Sequence, residues 1–562
     1  MRNCRILIVF LAVWTACSGY AQSYLKGWHL KDLKKDSFYG IGLQEAYEFV
    51  ANKKSTPIVV AVIDSGVDTT HEDLRSILWH NPREIPGNGI DDDGNGYADD
   101  IYGWNFLGNK DGVNLKKTTD EKTRLYHRYK RLFSGKSISE DSLAPSDKAS
   151  FQLWSKVEKE MHSSADEQVE LLFVDVALKT TKKHDKVLRE EMKKDTFTSE
   201  ELEKFQPTTA AARQAKHGYI TSMKLLGFDA DDTNTSIIAQ LEEYVSGKKE
   251  SIEAKDIAPP DYRETVIKDD YYNINDRYYG NGDVMGPNPT HGTHVSGIIA
   301  AQRDNNIGID GVANNVKIMM VRAIPDGDEY DKDVALAIKY AVDNGARVIN
   351  MSFGKAFSPE KKWVDEAVQY AELKDVLLVH AAGNESTNVD EKENFPNASL
   401  QAFNKRAGNF INVGASSDPR IGDGRIVADF SNYGHQNVDV LAPGVKIYST
   451  LPGKQDYGFL KGTSMASPVV AGVAALIRSY YPELTARQVK YAIEQSAYTS
   501  ADSSMVILKP GTKETTTLNA LCETGGFVNA LGALQIAATL HPEEKTVPGS
   551  MKPVFKKLKP SK

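Results

Sequence analysis

Five short apolar runs recur along this chain: "PIVVAVID" (57–64), "VKIMMVRAI" (316–324), "ARVINMSF" (346–353), "DVLLVHAAGN" (375–384) and "NFINVGAS" (409–416). Between them, "DKDVALAIKYAVDNG" (331–345) and "SPEKKWVDEAVQYAEL" (358–373) repeat apolar residues at helical spacing. Runs this short, rich in Val and Ile and without polar alternation, read as strands buried on both faces. Such strands need helices above and below them, so the expectation is an α/β fold: a mostly parallel central sheet with helices on both faces. In these sheets, sites gather where the chain leaves the carboxyl ends of the strands.

Four residues stand at such places. Asp64 closes "IVVAVID" and is followed by "SGVD"; Asn384 ends "DVLLVHAAGN"; His291 opens the helix-like "HGTHVSGIIAAQ"; and Ser464 in "GTSMASP" precedes the buried helical run "VVAGVAALI". Each has an ordinary structural reading as well. Asp64 and Asn384 suit turns, and Ser464 suits a helix N-cap. His291 and His294 are three apart, but "HGTH" lacks the glutamate and the i, i+4 spacing of a zinc-hydrolase helix, so no catalytic metal is expected. Taken together the residues follow the order Asp, His, Ser, one of the chain orders in which a nucleophile, its base and the base's orienter occur.

The segments "AVIDSGVD", "HGTHVSG", "INMSFG", "AAGN" and "GTSMASP", in that order, resemble the signature segments of the subtilisin-like serine proteases over about 55–110 and 280–500. The resemblance implies that Ser464 is the nucleophile, His291 its general base and Asp64 the orienter. It also implies that Asn384 is an oxyanion donor and His294 structural. It assigns Ser352, Phe353 and Gly354 and then Ala381, Ala382 and Gly383 to the two walls of the pocket for the residue before the cut, with polypeptides as substrates. Two competing functions are a noncatalytic protein-binding module on the same fold, which a lost triad residue would favour, and a lipase-like hydrolase, whose GxSxG elbow Ser464 lacks.

"GNGIDDDGNGYADDIYGW" (87–104) places Asp91, Asp93, Asn95 and Asp99 at positions 1, 3, 5 and 9 of an EF-hand-like loop with Gly96 at 6, while Tyr102 stands where the bidentate glutamate belongs. Structural calcium is expected there. A second calcium candidate, by resemblance to a family site, joins Asp73 to Asp304 and Asn305 in "RDNNIG".

From about 115 to 270 Lys and Glu dominate and helical patterns appear, such as Trp154, Val157, Met161 and then Leu172, Phe173, Val176. This reads as a charged helical insertion between an N-terminal part of the catalytic domain (22–114) and its remainder (271–540), with a flexible basic tail at 541–562. Lying between Asp64 and His291, the insertion is expected near the active-site side, limiting access or docking a protein partner. Residues 1–21 read as a secretory signal peptide. Export to the periplasm, cell surface or medium is therefore expected, with lipid anchoring at Cys17 as the alternative. About 35 residues between Ala21 and the first strand leave no room for a folded propeptide. Past the leader only Cys522 remains, so no internal disulfide is expected and it reads as a small buried residue. The net charge of −8 argues against a nucleic-acid partner, and no later segment is apolar enough to span a membrane.

Overall fold

A computed structural model describes residues 25–135, 138–161, 165–228, 232–499 and 507–543. The leader, Cys17 and residues 544–562 of the tail lie outside them. Among the described residues no helix is long and apolar enough to cross a membrane.

Seven strands build the central sheet: β1 (Ile58–Asp64), β2 (Gly103–Asn105), β3 (Val316–Arg322), β4 (Val348–Met351), β5 (Leu377–Ala381), β6 (Phe410–Ser416) and β7 (Val440–Pro443). Their spatial order is β2-β3-β1-β4-β5-β6-β7, and every neighbouring pair is parallel. The five apolar runs became β1, β3, β4, β5 and β6. An antiparallel hairpin follows, β8 (Ile447–Leu451) and β9 (Asp456–Leu460).

Alternate residues of each strand feed opposite cores. Val60 and Val62 join Ile318, Met320, Val295, Ile298, Val469 and Val473 on one face; Ala61 and Ile63 join Met319, Val321, Val334, Ile338, Val364 and Val368 on the other. The helices that matter below are α1 (Glu121–Phe133), α2 (Thr290–Ala300), α3 (Asp331–Asp343), α4 (Lys361–Leu373) and α5 (Thr463–Tyr480). Helices α2 and α5 cover the first face, and α3 and α4 the second.

The chain divides into two compact units, one of residues 1–121 with 261–562 and one of 122–260. The second unit is narrower than the 115–270 span read from composition. Leu115, Arg263 and Ile267 are buried at its edges, and Leu115 and Ile267 pack into the sheet's second core. Within the second unit, helices Ala165–Met192, Ala210–Leu226 and Asn234–Glu253 enclose Val174, Leu178, Leu188, Phe197, Tyr219, Met223, Ile237 and Leu241. Trp154 is buried against Tyr126. Leu172, Phe173 and Val176 lie on helix Ala165–Met192, as their spacing implies, but are exposed, while Val174, Leu178 and Leu188 of the same helix are buried.

Candidate active site

Asp64 is the last residue of β1, buried at 1% exposure. Its carboxylate accepts from the Ser65 N–H (2.7 Å) and from His291 Nδ1 (2.8 and 3.0 Å to its two oxygens). His291 is the second residue of α2, and Gly292 lets that helix start press against the end of β1. A Cβ at Gly292 would stand 2.2 Å from the Gly66 carbonyl oxygen and 3.1 Å from Asp64 Cβ. With Nδ1 committed to Asp64, Nε2 is the ring atom left to take a proton. Burial opposes charging the imidazole, but the charge and hydrogen bond of Asp64 prevail and hold its pKa above the ordinary 6.5. His294, by contrast, is fully buried with Nε2 against the carbonyls of Ile447 (3.1 Å) and Gly458 (3.2 Å). Burial pushes its pKa down to about 3, which suits a neutral structural residue.

β4 lies beside β1 with Met351 opposite Ile63, so Ser352 leaves the sheet next to Asp64. There the chain meets the start of α5. Ser464 Oγ donates to the Ser352 carbonyl (3.1 Å), and Ser352 Oγ donates to the Ser464 carbonyl (2.9 Å). The second bond has a cause in the sequence: Pro468, inside the helix and four residues on, has no N–H for the Ser464 carbonyl, which therefore needs a donor from elsewhere. Asn350 donates to Ser352 Oγ (2.9 Å) and Ser467 to Asn350 (2.8 Å), which fixes the donor's orientation. Among the described residues no hydrogen bond joins Ser464 to His291, and the Ser464 hydroxyl rests on the Ser352 carbonyl.

Asn384 follows the end of β5. Its Oδ1 accepts from the Thr463 N–H (2.8 Å) and Thr463 Oγ1 (3.0 Å). A backbone N–H can only donate, so Oδ1 must face it and Nδ2 is left as a donor. A Cβ at Gly462 would lie 3.6 Å from the Ser464 backbone nitrogen and 3.7 Å from Asn384 Nδ2. Asn384 Oδ1 is also 3.7 Å from that point, so the whole amide stands beside the start of α5, where negative charge is favoured.

The subtilase family (Peptidase_S8) matches residues 55–526. The chain belongs to the subtilase family. It is 42% identical over 243 residues to a thermophilic serine proteinase of Bacillus sp. (strain AK1), covering 43% of this chain and 54% of that one. It is 36% identical over 214 residues to subtilisin DY of Bacillus licheniformis, covering 38% and 72%. It is 37% identical over 237 residues to the major intracellular serine protease of Bacillus subtilis (strain 168), covering 42% and 68%. The matched part thus spans about half the length of the first relative.

In this subtilase the two segments expected to wall the substrate pocket approach one another through residues that the sequence did not single out. Ser352, Phe353 and Gly354 continue from β4, and Ala381 ends β5 with Ala382 and Gly383 following it. Asn394 Nδ2 donates to the Ala382 carbonyl (3.0 Å), and its amide would collide with any Cβ at Gly354 (2.6 Å). Asn432 Nδ2 donates to the same carbonyl (2.9 Å) and fills the space beside Gly383, whose φ of +105° suits glycine. A polar amide therefore stands between walls whose own residues are small or apolar.

The acidic loop is only partly what its EF-hand-like spacing implies. Oxygens of Glu84, Asp91 and Asp93 lie within 4.8 Å of one another. Glu84 was not foreseen, since it lies before the loop. Asp99 has left-handed backbone (φ +57°) and turns its carboxylate to the N–H groups of Gly87 (2.7 Å) and Gly89 (2.8 Å). Asn95 spends its oxygen on Tyr97 N–H (2.8 Å) and its nitrogen on Asp100 (3.0 Å). At the second candidate Asn305 Nδ2 donates to Asp73 (2.7 Å), whose carboxylate also accepts from Ile309 N–H (3.1 Å). Asp304 instead gives its backbone N–H to Asp310 (3.1 Å).

Proposed function

We propose that this subtilase is an exported serine endopeptidase that cleaves peptide bonds through an acyl-enzyme. The observation that carries the reading is the Asp64–His291 pair at the end of β1, beside the Ser464–Ser352 contact at the end of β4. An extended polypeptide pairs with the backbone of Ser352–Gly354 as an added strand. Ser464 Oγ attacks the scissile carbonyl carbon while His291 Nε2 takes its proton, and Asp64 stabilises the resulting imidazolium. Charge on the carbonyl oxygen meets the Ser464 N–H and Asn384 Nδ2. The C–N bond then breaks as His291 protonates the leaving amine, leaving an ester on Ser464. Water, deprotonated by His291, attacks that ester, and the proton returns to Ser464 as the acid product leaves.

In this reading a structural calcium ion would be held by carboxylate oxygens of Glu84, Asp91 and Asp93, in place of the Arg83 guanidinium that pairs with Asp93 (2.9 Å). Bound only by the folded chain, it would add stability to a fold with no disulfide among its described residues. The inserted unit, in this reading, limits access or docks a protein substrate. Its deletion is best made over 122–260, because residues 261–270 belong to the other unit.

The test is labelling with a fluorophosphonate probe, located by peptide mass spectrometry beside a Ser464→Ala control. Labelling of Ser464 alone, abolished in the control, is the expected result. No labelling of the folded protein overturns the enzymatic reading in favour of a binding module on the same fold.

A further inference from the structure

The first turn of α3 carries three consecutive charged residues, Asp331, Lys332 and Asp333, each buried at 2% exposure or less. Each has an ionic partner. Asp331 meets Lys355 Nζ (2.8 Å). Lys332 meets Asp269 and the Asp270 carbonyl (2.6 Å). Asp333 receives two parallel bonds from Arg263 (2.7 and 2.9 Å), and Arg263 Nε also faces Asp269 (2.8 Å). Lys355 bonds Glu121 as well (2.7 Å), together with the Glu329 carbonyl (2.8 Å).

These partners have one thing in common. Glu121 is the last residue before the chain leaves for the inserted unit, and Arg263 is the third residue after it returns. Arg263 thus binds this helical turn directly, and Glu121 reaches it through Lys355. Lys355 is the residue after Gly354, at the end of the segment against which substrate would pair. Its backbone is fixed across from Phe395 (N–H to carbonyl 3.0 Å, carbonyl to N–H 2.9 Å), beside Asn394 between the pocket walls. The outgoing stem and the substrate segment therefore share a single buried ammonium group.

Buried ion pairs add little net stability over apolar packing of the same volume, yet removing one partner strands the other charge in a poor solvent. Such a group holds its neighbours in one arrangement rather than letting them drift. Building on the endopeptidase reading, we propose that Lys355 is a positioning residue. It ties the substrate-pairing segment Ser352–Gly354, through Glu121 and Asp331, to the stem of the inserted unit, so that the stem sets how well an extended polypeptide is held.

The test compares wild type, Lys355→Met, Lys355→Arg and Glu121→Gln, each as the full chain. One readout is the rate of fluorophosphonate labelling at Ser464, which needs no strand pairing. The other is kcat and KM on an extended peptide substrate. Misplacement of a binding segment by about 1 Å costs up to about 100-fold, so Lys355→Met is expected to raise KM about tenfold, with kcat and labelling rate within about twofold of wild type. Lys355→Arg keeps the charge and should restore most of the loss, while Glu121→Gln, the milder change, should raise KM about threefold and carries the test if Lys355→Met does not fold. An unchanged KM in folded variants overturns the proposal, as does a loss shared equally by KM, kcat and labelling rate, which a general packing defect would give. Unlabelled wild-type Ser464 overturns the endopeptidase reading, and this proposal with it.

Discussion

Gly292→Ala is the smallest change expected to uncouple the Asp64–His291 pair without touching either residue. The new methyl group would stand 2.2 Å from the Gly66 carbonyl oxygen, 2.9 Å from Met320 Cε and 3.1 Å from Asp64 Cβ. The Met320 methyl can turn away, but the Gly66 carbonyl is backbone and cannot. Restoring an ordinary contact moves the start of α2 away from the end of β1 by about 1 Å. The hydrogen bonds at 2.8 and 3.0 Å then stretch past useful length. Loss of catalytic geometry on this scale costs about 100-fold in kcat, and overpacking costs about 1–3 kcal/mol of stability. Asp64 is what holds the His291 pKa above 6.5, so the acid limb of kcat/KM should move to lower pH in the variant. The assay is peptide hydrolysis from about pH 5 to 9, normalised to the concentration of folded protein. Gly247→Ala, at a helical glycine with nothing within 4 Å, serves as the control and should be silent. A Gly292→Ala enzyme with wild-type kcat and an unmoved acid limb would falsify the claim that this close approach sets the pair.

Four further outcomes are expected. Asn384→Ala should lower kcat about 100- to 1,000-fold with little change in KM, the range found for the corresponding donor in subtilisin, and a KM-only effect would remove Asn384 from the oxyanion site. The acid limb of wild-type kcat/KM should lie above pH 6.5, because His291 must be neutral to act as base. The pair's contribution to stability runs the other way, being full below pH 6.5 and lost as pH rises through the elevated His291 value, so a thermal-unfolding series that gained stability from this pair across that range would contradict the assignment. If calcium binds at Glu84, Asp91 and Asp93, then chelation should lower the unfolding temperature in wild type by the equivalent of about 2–3 kcal/mol at calcium 100 times Kd, and much less in Glu84→Gln; identical values with and without chelator would remove the site.

The sheet was legible because strands buried on both faces are short continuous apolar runs, separated here by segments with helical spacing. β2, three residues long, and β7, which ends in Pro443, gave no such run. The candidate site was legible where its residues sit in contiguous motifs, as Asp64, His291, Asn384 and Ser464 do. Asn394 and Asn432 were not, because an amide that satisfies the Ala382 carbonyl looks in sequence like any loop asparagine. Glu84 escaped because its neighbours in space lie across a fold of the loop rather than at a fixed step along it. Asp99 was placed among ligands by its position number, and a left-handed backbone turned it elsewhere. The pairs Arg263–Asp333 and Glu121–Lys355 join residues 70 and 234 positions apart, and charge alone does not say which distant partner a buried ion will meet.

Because Arg263 binds one turn of α3 and Glu121 reaches the same turn through Lys355, the residues between them leave and rejoin the sheet's unit as a side branch. A branch of that kind can lengthen, shrink or be exchanged without shifting any strand by a residue. The seven-stranded scaffold can thus stay the same while the branch changes, so relatives that share the sheet need not share an appendage.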